Sequence, residues 1–169
     1  MNSDKPLIGV IMGSASDADV MKGCVNTLKE MGIPHEVKIL SAHRTPEPTR
    51  QYAATAAERG IQVIIAGAGW AAHLAGAIAA QTTLPVIGIP IDSSPLNGMD
   101  ALLSTVQMPS GIPVATVALG KGGAKNAAVL GAQILALKHP FVADEVARYR
   151  EALTLAASEK IDSWDKYAS

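Results

Sequence analysis

Leu7-Ile8-Gly9-Val10-Ile11-Met12-Gly13-Ser14-Ala15-Ser16-Asp17 is the stretch whose reading decides the architecture. A six-residue apolar run without polar alternation reads as a strand buried on both faces, and it stops at Gly13-Ser14. From Asp17 onward, apolar residues fall at Val20, Met21, Cys24, Val25, Leu28 and Met31, the spacing of one face of a helix that ends at Gly32. A buried strand feeding an amphipathic helix is the opening half of a strand-helix-strand unit.

The same alternation continues along the chain. Ile33–Leu40 reads as a second strand with one wetter face. Thr45 as N-cap and Pro46 at the first helical position open a helix expected to reach Gly60. Val63–Ala66, Pro85–Pro90 and Pro113–Ala118 read as further strands. Ala71–Gln81, about Met99–Gln107 and Gly122–Leu137 read as the intervening helices, and Pro140 to about Lys160 as a last, more polar one. Right-handed crossovers place helices on both faces of such a parallel sheet. The expected fold is therefore α/β: one three-layer α/β/α domain spanning 1–169, with a core of about 7–138 and a C-terminal helical extension of about 140–160. Its sheet is expected to be flavodoxin-like, of five strands in the order 2-1-3-4-5.

Composition narrows the function. The 169 residues carry a formal charge of -1, with no block of like charges, which gives no electrostatic reason for nucleic acid or an anionic membrane as partner. One cysteine, Cys24, cannot form an internal disulfide, and the N-terminus lacks the apolar stretch of a signal peptide, so a cytoplasmic address is expected. Aromatic residues are only 4% while alanine occurs 29 times and glycine 15, a bias toward side chains that let helices approach closely.

In a sheet of this order, ligands sit beyond the carboxyl ends of the strands beside strand 1. Three loops end there. Gly13-Ser14-Ala15-Ser16-Asp17 offers a tight turn, hydroxyl donors and first-turn amides where a helix dipole favours an anion, although Ser16 or Asp17 could serve only as a helix cap. Ser41-Ala42-His43-Arg44-Thr45-Pro46 pairs a group that exchanges protons near neutral pH with a guanidinium fork suited to phosphate or carboxylate. Gly67-Ala68-Gly69-Trp70-Ala71-Ala72-His73 matches the G-x-G-x-x-A dinucleotide pattern. It follows strand 3 instead of strand 1, however, and lacks the acidic partner, so its glycines are read as bringing backbone close to a smaller ligand. Gly120-Lys121-Gly122-Gly123 lacks the phosphate-loop spacing, no G-x-S-x-G elbow occurs, and the four histidines lack metal-ligand spacing. Gln107-Met108-Pro109-Ser110-Gly111-Ile112-Pro113 is either a lid or an ordinary connection.

Together, Met12-Gly13-Ser14-x-Ser16-Asp17, Ser41-Ala42-His43-Arg44-Thr45-Pro46, Gly67-Ala68-Gly69-x-Ala71-Ala72-His73-Leu74 and Gln107-Met108-Pro109-x-Gly111-Ile112-Pro113 closely resemble the 5-(carboxyamino)imidazole ribonucleotide mutase family of purine biosynthesis. The resemblance covers about residues 7–138. It implies an isomerase that moves a carboxylate from the exocyclic nitrogen to ring carbon C4, without metal or other cofactor, through decarboxylation and recarboxylation. By their motif positions, His43 is the general acid and base, while Ser14, Asp17 and Arg44 hold the ribose phosphate end. Ser41 and His73 line the imidazole and carboxylate pocket, and Gly13, Gly69 and Ala71 complete the substrate-binding wall. A homo-octamer with shared sites is implied as well. Trp70 and Ala75 depart from the family pattern, which commonly has glycine and proline there. Arg44 resembles the mutase branch, where the related direct carboxylases tend to have lysine. The alternatives are direct carboxylation of aminoimidazole ribonucleotide and, from another class, a non-catalytic nucleotide-binding or flavin-binding module of the same fold.

Overall fold

The continuous apolar runs become the centre of the sheet. In the computed structural model, which describes residues 5–162, β1 (Ile8–Met12) and β4 (Val86–Ile91) are buried along their whole length, and β3 (Val63–Gly69) along its first five residues. β2 (His35–Ile39) and β5 (Ala115–Thr116) form the two edges. All pairings are parallel, in the order β2-β1-β3-β4-β5, with Ile8 opposite both His35 and Val63, and Ile64 opposite Val86. The order expected from sequence is the order observed.

Helices α1 (Ala18–Glu30), α2 (Pro46–Thr55), α3 (Leu74–Ala79), α4 (Met99–Val106), α5 (Gly120–Ala136) and α6 (Pro140–Asp162) complete the three layers. Strand alternation sends Ile8, Val10 and Met12 to one face, where they meet Met21, Cys24 and Leu28 of α1 and Ala124, Ala127 and Ala128 of α5. Ile11, Ile64 and Ala66 point to the other face, against Tyr52 and Ala53 of α2 and Leu74, Ala75 and Ile78 of α3. α6 packs outside α5 and buries Val142. No helix among the described residues is long and apolar enough to cross a membrane.

The small-residue bias has a clear structural use. α5 buries Gly123, Ala124, Ala127, Ala128, Gly131 and Ala132, so its axis lies close to both α1 and the sheet. A Cβ on Gly131 would come within 3.2 Å of the Ile8 Cδ1, and one on Gly23 of α1 within 3.6 Å of the Ala124 Cβ. Burial here comes from many small contacts at high packing density, in place of a few large aromatic ones.

Several boundaries differ from expectation, each for a local reason. α2 ends at Thr55, and the chain turns until Gly60 at φ +99. Thr45 makes no side-chain cap; its hydroxyl accepts from the Ser41 amide (2.8 Å) and donates to the Ser41 carbonyl (3.1 Å), which closes the preceding loop. α3 spans Leu74–Ala79 only, because Trp70 at φ +55 turns the chain before a helix can start. β5 keeps two residues, its ladder being limited by Pro113, which has no amide to donate. α5, expected to begin at Gly122, begins two residues earlier at Gly120, and Lys121 forms a surface ion pair with Asp19 at 2.8 Å. α6 runs two residues beyond the expected Lys160.

One contact between the second helix and the sheet generates a stability test. Tyr52 of α2 lies across Gly9 of β1, donates to the Glu36 carboxylate on β2 (2.9 Å) and carries the Arg59 guanidinium 4.5 Å above its ring. A Cβ on Gly9 would overlap the Tyr52 hydroxyl. Gly9→Ala is expected to lower stability by about 1–3 kcal/mol in chemical denaturation. Because the hydroxyl is the atom in the way, Gly9→Ala combined with Tyr52→Phe should be less destabilised than the sum of the single changes. Strict additivity would show that the clash is elsewhere.

Candidate active site

Parallel order 2-1-3 brings the carboxyl ends of three neighbouring strands together, so the loops after Met12, Ile39 and Gly69 rise side by side. Backbone bonds hold their roots: the Leu40 amide donates to the Met12 carbonyl (3.0 Å), and the Gly13 amide to the Gly67 carbonyl (3.1 Å). Between them lies a cleft of about 610 Å³, ample for a mononucleotide. Its walls include all nine residues singled out from sequence, from Gly13 in the first loop to His73 in the third.

In the first loop, Ala15–Asp17 forms a short 3-10 turn ahead of α1, with Ser14 as its cap: the Ser14 hydroxyl oxygen accepts from the Ser16 amide (3.3 Å) and from the Ser16 hydroxyl (3.0 Å). The simple capping role considered for Ser16 and Asp17 is therefore taken by Ser14. Asp17 occupies the N-cap position of α1 without a side-chain cap bond, and it is buried. Burial raises its pKa above the ordinary 3.8, while the Ser14 backbone amide and the charge of Arg44 pull the other way. A buried carboxylate opposed to its own desolvation and turned toward a cleft is a feature of binding sites more than of surfaces.

The second loop is tied down at Ser41. The Ser41 hydroxyl accepts from the Arg44 amide (3.1 Å), and Thr45 and Thr49 donate to the Ser41 carbonyl. With its backbone so fixed, Arg44 crosses to the first loop and donates from Nη2 to the Gly13 carbonyl at 3.1 Å. The guanidinium thus bridges the first two loops with donors left over.

The third loop supplies a contact that sequence spacing could not show. His73, thirty residues from His43, places its Nδ1 2.8 Å from the His43 Nε2, with the two rings edge to face at 81°. A hydrogen bond between two imidazoles needs one ring nitrogen protonated and the other bare, so a proton shared at this point lies on a path between both rings. Gly69 of the same loop permits the close approach of Ser93: a Cβ there would overlap the Ser93 hydroxyl, and Ser93 also lines the cleft. Trp70 and Ala71 continue the wall and are exposed.

Ser93, Ala42, Ala68 and Leu74 complete the lining and were not singled out. Ser93 follows β4, whose end meets β3 by pairing, and an isolated serine after a strand carries no signal of its own. The fourth motif lies elsewhere. Gly111, Ile112 and Pro113 border a separate cavity of about 550 Å³ near the start of β4, and Met108 packs against Gly76 of α3, so within one chain this segment is a connection and not a lid. The G-x-G-x-x-A match ends in an extended strand and a turn instead of opening a helix at the second glycine, which removes the geometry a dinucleotide needs.

The sequence profile of the AIR carboxylase family matches residues 7–155. N5-carboxyaminoimidazole ribonucleotide mutase of Pyrococcus horikoshii is 55% identical over 174 aligned positions, covering 100% of this chain and 97% of that protein. The proteins of that name from Aquifex aeolicus and Bacillus subtilis are 62% and 54% identical, covering 80% and 94% of this chain and 80% and 98% of their own lengths. The crystal structure of Treponema denticola PurE superposes with a TM-score of 0.78 at 32% identity, over 96% of this chain and 98% of that one. With its three loops meeting at one cleft and this extent of similarity, the chain belongs to the AIR carboxylase family.

Proposed function

We propose that this chain is an isomerase of purine biosynthesis that converts 5-(carboxyamino)imidazole ribonucleotide into 4-carboxy-5-aminoimidazole ribonucleotide. The observation that carries the reading is the meeting of His43 and His73 at 2.8 Å in a cleft that is also lined by Ser14, Ser16 and Arg44. The hydroxyls, the first-turn amides and the guanidinium suit a phosphate, and the Asp17 carboxylate suits ribose hydroxyls, which donate to it. This leaves the heterocycle at the imidazole pair.

The chemistry then balances without any further reactant. The bond from the exocyclic nitrogen to the carboxylate carbon breaks, its electron pair stays on nitrogen, and His43 supplies the proton to that nitrogen. Carbon dioxide remains beside the electron-rich ring, C4 attacks it, and the C4 proton returns to His43. One group acts first as acid and then as base, and His73 can relay or steady its proton. Holding carbon dioxide next to its acceptor replaces an encounter with a dilute gas.

Direct carboxylation of aminoimidazole ribonucleotide is the second reading, favoured by the family's name. The mutase reading is preferred for two reasons: the relatives at 54–62% identity cited above bear that name, and Arg44 after His43 is the feature by which the second loop resembles the mutase branch. Turnover of the carboxyamino compound against turnover of aminoimidazole ribonucleotide with bicarbonate separates the two.

We further propose a homo-octamer in the cytoplasm, in which neighbouring copies close the cleft. Met99, Leu103 and Val106 are exposed apolar residues on α4, with Leu96 exposed just before it, and Val37 and Ile39 are exposed on the edge strand β2, apolar surface that neighbouring copies would cover. A monomer by light scattering with full activity would refute the shared site.

Two substitutions test the roles. His43→Asn should still bind the product nucleotide within a few-fold while turnover falls by at least about 10²-fold, the usual share of a general acid and base; near-normal conversion would sink the assignment. Asp17→Asn should weaken nucleotide binding yet stabilise the free protein at neutral pH. Since the folded protein holds the Asp17 proton more tightly than the unfolded chain, the carboxylate's contribution to stability declines as pH rises from 3.8 through its raised folded value. Denaturation curves of the two proteins should thus diverge on going from acid to neutral pH, with Asp17→Asn the more stable; convergence would show that Asp17 is not under this constraint.

A further inference from the structure

Trp70 stands on the wall of the cleft in a backbone conformation that tryptophan rarely adopts, φ +55. The other non-glycine residue at positive φ among the described residues is Asn97, whose short polar side chain tolerates the left-handed region. An indole has no such compensation. Nor is the conformation explained by packing, because Trp70 is 59% exposed and belongs to neither of the two buried clusters. A strained backbone that presents a large, unburied aromatic side chain to a cavity is the pattern expected where the side chain acts on a ligand.

The rest of the wall shows what is missing. Ser14, Ser16 and Arg44 supply donors, Asp17 an acceptor and His43 with His73 the proton-transfer groups, whereas the apolar lining is otherwise alanine, glycine and the buried Leu74. Trp70 is the one large carbon ring among these residues, and it lies three residues before His73 on the loop that lines the same cleft as the imidazole pair. We propose that the Trp70 indole stacks on the planar heterocycle of the nucleotide and covers the open side of the cleft when substrate is bound. This rests on the imidazole ribonucleotide reading above. Stacking recognises flatness instead of hydrogen-bond pattern, so Trp70 selects for a planar ring while the histidines act on its edge.

In a Trp164→Phe background, Trp70 is the remaining tryptophan of the sequence, and its emission reports on the cleft. Adding 4-carboxy-5-aminoimidazole ribonucleotide is expected to change that emission saturably, at concentrations where calorimetry records binding. Trp70→Gly suits the positive φ and should fold; its kcat/KM for the carboxyamino substrate should fall roughly tenfold, with most of the change in KM, and Trp70→Phe should recover part of it. Unchanged emission with the nucleotide bound, or a KM for Trp70→Gly within about twofold of the parent, overturns the proposal. A smaller assembly for Trp70→Gly at unchanged KM assigns the indole to a subunit contact and overturns it too. A parent protein that shows the emission change but no turnover counts against the mutase reading and leaves the stack standing, whereas absence of any binding removes both.

Discussion

β1 is hydrogen-bonded along both edges and packed on both faces, and the rest of the molecule is arranged around that constraint. Once β2 lies on one side and β3 on the other, the crossovers that follow β1 and β2 must leave in opposite directions, and their loops part above the end of β1. The cleft is that parting. Its position follows from strand order alone, before any side chain in it is considered.

Close approach to β1 is bought with small residues. Gly9 makes room for Tyr52 on one face, and on the other Gly131 and the alanines of α5 bring the helix down onto Ile8. In a chain with 4% aromatic residues, close packing supplies burial that large side chains supply elsewhere. The network of Tyr52, Glu36 and Arg59 then fastens the exposed edge strand β2 to α2, and with it the base of the loop that carries His43.

The cleft itself runs against stability. Asp17 is buried where its charge is disfavoured, and Trp70 holds a conformation that costs on the order of 1–3 kcal/mol for a bulky residue. Both sit on loops whose roots are held by backbone bonds such as those of Gly13 and Leu40, so the rigid sheet carries the strain. Such concentration of unfavourable features is the usual mark of a site kept for what it binds.

The sequence by itself determined the fold class, the strand order and the three loops of the cleft, because buried parallel strands are written as unbroken apolar runs and helix starts as polar punctuation. It also marked His43, Arg44, Ser14 and Asp17 as residues able to handle a proton and an anion. The extents of α3 and β5, the role of Thr45 and the helical start at Gly120 were not legible, since each depends on a partner far away in the chain or on a backbone turn that local propensity does not set. Nor could spacing show that His43 and His73 touch or that Ser93 joins the wall. Those are facts of tertiary structure: pairing β1 with β2 and β3 brings together loops thirty residues apart, and only their relative height in space decides which atoms come within 3 Å.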